Sequence, residues 1–305
     1  MTRYVNIGKE STYDTPVAGS YAIPCIDEDL TFANQPIRSL TVESRALSMS
    51  IGGPKKVTGG WSQYVNYKNV GLILKALLGD ENKTNPTAGV ALHTFTHNAL
   101  GSLPSITARV GLHDVTEKIV SGYGVDQLDL ECQPDEFLKI KVKGIGANET
   151  TGTVGSPTFN TQAYAVLTNT FTLAGSAATP ESFKLSIKNN LKSNHHTITS
   201  RTLPRIETGA LEISGAMSIR FLNTTHLTNF LNGTQVKLIA KWQGGVISGG
   251  YNYYLQVTVD SIEYDAGDAY VDKQERIVED LKFTGVKVGT DIVKIELQND
   301  EDVTY

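Results

Sequence analysis

This chain of 305 residues has no long apolar run. A membrane-spanning helix needs about 20 consecutive apolar residues, and no stretch here approaches that length. The first ten residues, MTRYVNIGKE, also lack the apolar core of a secretory signal peptide. We therefore expect a protein that neither crosses a membrane nor is exported through a signal peptide.

Cysteine and tryptophan are scarce. Cys25 and Cys132 are the two cysteines, whereas a disulfide framework needs more of them in an oxidising compartment and a zinc site needs closer spacing. We predict two buried free thiols, no metal site and no cofactor. The two tryptophans, Trp61 and Trp242, are few for a carbohydrate-binding surface that exposes aromatic rings.

The net charge of −5 hides an asymmetry along the chain. From Asp260 onward 13 acidic residues stand against 5 basic ones, a net −8, while the first 259 residues carry 22 basic and 19 acidic residues, a net +3. Tight nucleic-acid binding needs clustered Lys and Arg that neutralise phosphates. The acidic segment argues against it and is typical of a solvated hairpin and tail, or of a surface that repels a polyanion.

The sequence repeats itself. Residues 41–62 align without a gap on residues 197–218, so that TVESRAL returns as TITSRTL. VDQLDLE (Val125–Glu131) is echoed by VDSIEYD (Val259–Asp265), and KVKGI (Lys141–Ile145) by KFTGV (Lys282–Val286). Self-similarity in one order along the chain indicates two copies of one fold. We predict a first domain over 1–150, a small polar linker over 151–160 and a second domain over 161–305.

Each copy reads as mainly β with one short helix. Alternating apolar and polar residues, rich in Thr, Val, Ile and Tyr, predict strands, among them Leu40–Ser48 and Thr197–Leu203. In the first copy an apolar stripe over Val70–Leu78 predicts a helix with Asn69 as N-cap and Gly79 after its end. In the second copy the stripe of Leu227, Phe230 and Leu231 predicts an equivalent buried helix.

The helices are followed by unequal lengths of chain. The first copy has extra residues after its helix, including the turn-rich DENKTNPTAG (Asp80–Gly89), which we expect on the surface. A β-sandwich or partly closed barrel whose open end or edge is covered by the helix accounts for the unit, since uncovered edges are a liability.

No residue pattern points to catalysis or metal binding. His93 and His97 would stand roughly 13 Å apart on a strand, too far for one ion. Asp129 and Glu131 would be about 7 Å apart on one strand face, which paired-carboxylate catalysis tolerates. The same pair recurs as Glu263 and Asp265, which favours a structural role. Two glycine-containing stretches, GGPKK (Gly52–Lys56) and DAGDAYVD (Asp265–Asp272), lack the spacing of a phosphate loop and of a calcium loop, and both read as turns.

Several segments in order resemble the major tail tube proteins of long-tailed bacterial and archaeal viruses. GKESTYDTP (Gly8–Pro16) is similar to that family's Gly-x-Glu-x-Thr-Tyr-Gly-Thr start, with Asp14 where Gly is usual. Gly53–Val65 followed by Val70–Gly79 resembles the family's strand-then-helix block. His93–Gly111 and Val125–Gly146 resemble the stretch that follows it and the strands that close the domain.

The resemblance implies a structural virion protein, not an enzyme, without catalytic, cofactor or metal residues. It implies stacked rings that form a hollow conduit for genome DNA, located in the tail, assembled in the host cytoplasm, and contacting tape-measure, terminator and baseplate or tip proteins. Because rings of the family generally contain six tube domains, two domains on one chain predict a homotrimer with pseudo-sixfold symmetry. The alternatives are a β-sandwich carbohydrate-binding or adhesin module and, with Asp129 and Glu131 as its acids, a glycoside hydrolase.

Overall fold

The computed structural model describes residues 3–43, 45–98, 101–160, 169–272, 276–289 and 291–305. The described chain is mainly β, with two short helices. Its first part contains β1 Arg3–Lys9, β2 Tyr21–Ile23, β3 Cys25–Glu28, β4 Thr31–Asn34, β5 Ile37–Ser39, β6 Met49–Ile51, β7 Lys55–Tyr64, α1 Val70–Leu78, β8 Gly79–Thr87, β9 Val90–His97, β10 Ile106–Leu112, β11 Thr116–Cys132, β12 Lys139–Gly146 and β13 Asn148–Gly152. Its second part contains β14 Asn169–Leu173, β15 Ser176–Ala178, β16 Pro180–Lys188, β17 Glu212–Arg220, α2 Thr225–Leu231, β18 Val236–Ser248, β19 Tyr251–Asp272, β20 Arg276–Gly285 and β21 Val293–Asn299.

Two long strands each change pairing partners along their length, and β11 thereby joins two sheets. The first half of β11 pairs with β10 and β13, and its second half pairs with β12 and β16. Likewise the first half of β19 pairs with β18 and β21, and its second half pairs with β20. Strands that pass from one sheet to another are the corners of β-sandwiches. The apolar core lies between the sheets so joined.

The order of strand pairing in the first part recurs in the second. In the first part the strands pair in the order β2–β1–β10–β11–β12–β7; β3 and β4 follow β7, and β13 also pairs with β11. In the second part the order is β15–β14–β18–β19–β20–β17; β16 follows β17, and β21 also pairs with β19. Helix α1 follows β7 as α2 follows β17. The hairpin of β8 and β9 is the extra chain of the first part, and β9 pairs with β21.

The irregularities of the ladders recur as well. Three register shifts in the first part, between Cys25 and Asp27, Ile106 and Ala108, and Val125 and Gln127, match three in the second, between Pro180 and Ser182, Val236 and Leu238, and Tyr264 and Ala266. The other shifts, between Thr84 and Thr87, Gln243 and Val246, and Val246 and Ser248, have no such match. A β-bulge is a specific local feature, so the three matched shifts fix which residues of the two parts correspond.

This correspondence agrees with the sequence repeat in one region and departs from it in two. Trp61 corresponds to Met217, as the aligned sequences predict, and both are buried. However, Val125 corresponds to Tyr264, not to Val259 as VDQLDLE and VDSIEYD predicted. Lys141–Ile145 corresponds to Asp280–Thr284, two residues before the predicted Lys282–Val286. Alternating strands match each other at several registers, which is why these short echoes misplace the pairing.

The two helices differ in burial. In α1 eight of nine residues are buried, Leu74 and Leu78 among them. In α2 none is buried, Phe230 packs partly against the core and Leu231 is 73% exposed. The expectation of two equally buried helices is therefore wrong. Helix α1 packs against β8, β9 and β11, whereas the main contacts of α2 are with one strand, β19.

The predicted cap of α1 is also corrected. Gly79 ends the helix with a φ of +94°, as expected of a glycine there. The Asn69 side chain, however, makes no capping bond; its Oδ1 accepts from Gln63 and its Nδ2 donates to the Ala22 carbonyl. Asn69 thus ties the start of the helix to two strands instead of capping it.

Three segment predictions are wrong in detail. The described residues of 40–48 and residues 197–203 contain turns instead of strands, and 265–272 forms the end of β19 instead of a turn. The turn-rich segment 80–89 lies mostly on the surface, as expected, where it forms β8 and a hairpin turn. Hydrogen bonding to β9 and β20 outweighs the local turn propensity of Asn, Pro and Gly in these places. Cys132 is buried as predicted, but Cys25 is only partly buried.

Substitution of Leu74 tests the packing of α1. Leu74→Asp places a charge in a buried apolar site and should cost about 4 kcal/mol or more of folding free energy. We expect an insoluble or unfolded protein by circular dichroism and denaturant titration. Leu231→Asp is the matched control on α2 and should fold like the wild type, because Leu231 is exposed. Equal loss of structure in both variants would contradict the structure.

Candidate assembly surface

Strands from both parts of the chain form one continuous sheet with eight positions side by side. Its order is β3/β4, β7, β12, β11, β16, β17, β20 and β19, where β3 and β4 share one register along β7. One face carries the buried apolar side chains of the core. The other face is open, and on it polar residues alternate with the buried ones, as Lys141 does with Ile140 and Val142.

Rows of opposite charge lie side by side on this open face. On β12 Lys139, Lys141 and Lys143 point outward, and on β11 Asp129 and Glu131 do so. The register places Lys141 opposite Asp129 and Lys139 opposite Glu131, at the close spacing of cross-strand pairs. On the other side of β11, Lys184 of β16 is 3.2 Å from the Glu131 carboxylate. The carboxylate row is therefore flanked by lysines on both sides.

The carboxylates considered as catalytic acids serve structural bonds. Asp129 accepts hydrogen bonds from Ser186 Oγ at 2.6 Å and from Gln127 Nε2 at 2.7 Å. Asp265 accepts one from Thr284 Oγ1 at 2.7 Å. Both pairs lie on the open sheet face, and the pairing does not place Glu263 and Asp265 at the positions that correspond to Asp129 and Glu131. The sequence echo thus does not create two equivalent sites.

The acidic closing segment contributes to this face. On the open face of β19 and β20, the acidic residues Glu263, Asp265 and Asp280 are exposed. Among the described side chains of this face of the two strands, the one basic residue is Lys282. This end of the sheet is net negative. Elsewhere the face is mixed. Lys139, Lys141, Lys184 and Lys188 each have a carboxylate opposite them, whereas Lys143 pairs with Gln127 and Gly60.

The two ends of the eight-position sheet are open. β19 pairs with β18 only as far as Ile262. Within the described chain, residues 263–272 therefore pair with β20 on one side and with no strand on the other. At the other end, β3 and β4 pair with β7 and with no second described strand. Inside the chain, the corresponding edges meet: β11 pairs with β16 over Gln127–Cys132.

The opening motif surrounds a buried glutamate. Glu10 accepts hydrogen bonds from Thr107 Oγ1, Ser105 Oγ, the Gly122 amide and the Asp14 amide. Asp14 has a φ of +58°, the left-handed region that favours glycine, and its side chain accepts from Ser121 Oγ. This geometry explains why a glycine is typical at that position. The sequence does not predict this role of Glu10, because its partners Ser105, Thr107 and Gly122 lie far along the chain.

The histidines considered as a metal pair have other partners. Buried His93 contacts Glu81 Oε1 at 2.9 Å and Asn299 Oδ1 at 3.1 Å, which ties the extra hairpin to the end of the chain. His97 lies 3.8 Å from Asp291. Within the described ranges no three His, Cys, Asp or Glu side chains group as a metal site would require, and none of the helices is long and apolar enough to cross a membrane.

Both tryptophans and several tyrosines pack within the protein, whereas Tyr64 and Phe137 form an exposed pair with ring centroids 5.5 Å apart. Trp61 and Trp242 are buried. Tyr253 stacks on Tyr67 with ring centroids 3.9 Å apart, and Tyr254 lies under the Lys241 ammonium at 4.2 Å. These rings therefore do not form the exposed platform typical of a sugar-binding site.

A sequence model of the family described as phage tail tube protein matches residues 2–285. The chain belongs to the phage tail tube protein family. A search of curated proteins found no match. The tail tube family is a structural one, and membership makes this chain a component of a virion tail. For a tail tube protein, the open sheet face and the two open sheet ends are the surfaces on which assembly has to be explained.

One buried carboxylate in this tail tube protein has no counterpart in the first part. Glu279 of β20 is buried, and neither of its oxygens has a hydrogen-bond partner in the described part of the chain. The corresponding residue of β12 is Ile140, also buried. Desolvation raises the pKa of Glu279 to about 7.

This carboxylate predicts a pH-dependent stability. Between the usual pKa of about 4.5 and the folded value of about 7, the folded state holds a proton that the unfolded chain has released. Stability should therefore fall as the pH rises through this interval. In thermal melts Glu279→Gln should remove that decline and raise the midpoint at pH 8. Glu263→Gln, on the open face, is the control and should keep the decline; a Glu279→Gln profile parallel to wild type would refute the assignment.

Proposed function

We propose that this protein is the major tail tube subunit, which assembles into stacked rings around a hollow conduit for genome DNA ejection. The observation that carries the proposal is the pair of open ends on the eight-position sheet. Unpaired strand edges template further pairing, and β11 with β16 gives a pattern for it inside the chain. The second half of β19 would pair with β3 and β4 of the next copy in the same way.

The recurring bulges give this junction a register. Gln127 of β11 pairs with Lys188 of β16 inside the chain. Ala266 of β19 corresponds to Gln127, and Ala33 of β4 corresponds to Lys188. We therefore expect Ala266 of one copy opposite Ala33 of the next. Pairing of this kind repeats head to tail and closes into a ring.

The size of the channel favours three copies. With eight strand positions in each chain, three copies bring 24 strands into one barrel. Tilted strands spaced about 4.8 Å apart then give a backbone diameter of roughly 48 Å. Six copies would bring 48 strands and roughly twice that width, far more than one DNA duplex requires. The proposed ring is a homotrimer with true threefold and approximate sixfold symmetry.

The proposal includes an internal duplication, with tube domains over 1–150 and 161–305 joined by 151–160. The matching strand order and matching bulges support it. The apolar core is continuous across both parts, with Trp61 and Trp242 in one cluster. The two domains would thus alternate around the ring while each chain behaves as one folding unit.

The open sheet face would line the channel. Apart from Lys143, the lysines of β12 and β16 there have carboxylates opposite them, and the end formed by β19 and β20 is acidic. A passing polyanion then meets no uncompensated cluster of cations of the kind that holds phosphates. We infer transient, non-specific passage of DNA, assembly in the host cytoplasm, contacts with tape-measure, terminator and baseplate or tip proteins, and no catalysis or cofactor.

Cysteine cross-linking tests the ring and its register together. In a Cys25→Ser background, Ala266→Cys with Ala33→Cys should form an intermolecular disulfide, because directly paired residues lie within bonding range. Under oxidation, denaturing gels should show dimers and trimers and no larger species. Electron microscopy of the same sample should show rings or tubes.

The matched control is Ala266→Cys with Thr31→Cys, where a two-residue shift moves the partner by about 6.8 Å. It should cross-link poorly. Absence of rings and tubes at high protein concentration would overturn the proposed function. Efficient cross-linking of the shifted pair alone would overturn the register, and covalent species beyond the trimer would overturn the stoichiometry.

A further inference from the structure

Two hairpin-like arms occupy corresponding places, between β4 and β7 and between β16 and β17. The first arm is residues 35–53 and the second arm is residues 190–209. Ile37 pairs with Ile51 at the base of the first, and Lys192 pairs with Glu207 at the matching positions of the second. Both arms carry the repeated Thr-x-x-Ser-Arg-x-Leu segment. Their sequences and bases match, so their contacts can be compared position by position.

The second arm is docked on the first part of the chain. The Lys55 amide donates to the Arg201 carbonyl at 2.8 Å, and Arg201 Nε donates to the Gly53 carbonyl at 2.9 Å. Leu203 is 1% exposed and packs in a cluster with Ile145 and Ala147. Leu203 and the backbone at Arg201 thus hold the arm in place.

In the described part of the first arm, the positions that match Leu203 and Arg201 lack these contacts. Leu47, which matches Leu203, is 60% exposed. Arg45, which matches Arg201, is exposed and has no side-chain bond to a described residue. The exposed large apolar side chains of this arm are Ile37, Leu40, Val42, Leu47, Met49 and Ile51. Six exposed large apolar side chains on one short arm are more than scattered surface residues and suggest an interaction surface.

We propose that the first arm seats on the second half of the neighbouring copy, as the second arm seats on the first half within the chain. This inference rests on the proposed ring. By the same correspondence, Leu47 is covered at Thr284 and Val286 of that copy, which match Ile145 and Ala147. The Leu211 amide, which matches Lys55, donates to the Arg45 carbonyl.

The occupant is a second copy of this chain because the surface that receives the arm corresponds to a surface that already receives one. The neighbour is the same one whose second half of β19 meets β3 and β4, so a single interface contains both contacts. The seat is not identical in sequence, since Thr284 and Val286 replace Ile145 and Ala147. One difference affects room: Thr208 stands where Gly52 leaves space for the Arg201 guanidinium. The Arg45 guanidinium therefore takes a different rotamer, and Leu47 and the backbone carry the contact.

The arm itself provides an internal control. Val42 and Ile198 match, and each is 106% exposed, although the second arm is docked. This position points to solvent in a seated arm. Val42 should therefore remain uncovered in the ring while Leu47, five residues away, becomes buried.

The test compares Leu47→Asp with Val42→Asp in the full-length protein. Each adds a charge to the same arm outside the core, so both should fold with the wild-type circular dichroism spectrum and melting temperature. In native mass spectrometry of rings, Leu47→Asp should raise the concentration needed for ring closure at least about tenfold, as loss of a central apolar contact does. Val42→Asp should leave it unchanged.

Each other outcome overturns the proposal in a distinguishable way. Wild-type rings together with normal ring closure in Leu47→Asp would remove the arm from the interface and leave the tube assignment standing. Rings of Leu47→Asp that close but no longer stack would move the arm to the contact between rings. Equal damage by Val42→Asp would contradict the seated geometry. A wild type that never forms rings would overturn the proposed function itself.

Discussion

Backbone hydrogen bonding at the two ends of one sheet is the constraint on which the rest depends. A strand edge exposes a row of N–H and C=O groups that pair with any compatible strand. In this chain the second half of β19 and the pair β3 and β4 are such edges, and β11 with β16 shows how they fit. In the proposed function, a chain that makes this junction once internally and leaves its two edges open externally would continue head to tail into the next copy.

The side chains on the sheet are consistent with that role. The buried face holds the two parts in one apolar core, which keeps the two open ends in a fixed relation. The open face alternates lysines with carboxylates instead of collecting cations. This arrangement suits a surface along which a polyanion moves without binding. It also engages Asp129 in hydrogen bonds and Glu131 in an ion pair, whereas a catalytic pair of acids would have to be available to a substrate.

The strand-rich fold, the repeat and the family were accessible from the sequence because alternation, glycines and motif order are local signals. The register was not accessible. VDQLDLE and VDSIEYD are similar in sequence, but the bulges place Val125 in correspondence with Tyr264, five residues beyond Val259. The exposure of Leu231 depends on what lies beneath α2, and the partners of Glu10 come from distant strands. Such long-range contacts leave no pattern within a short window. The open sheet ends likewise emerge only when every strand has been paired.

The symmetry of the assembled tube, determined by electron cryo-microscopy of vitrified samples, tests the central claim most directly. The account predicts three chains in each ring, 24 strands in a continuous barrel, and β19 of each chain beside β3 and β4 of the next. Three projections from the β8–β9 hairpins should break the approximate sixfold symmetry. Six chains in each ring, or a barrel in which these two edges do not meet, would contradict it.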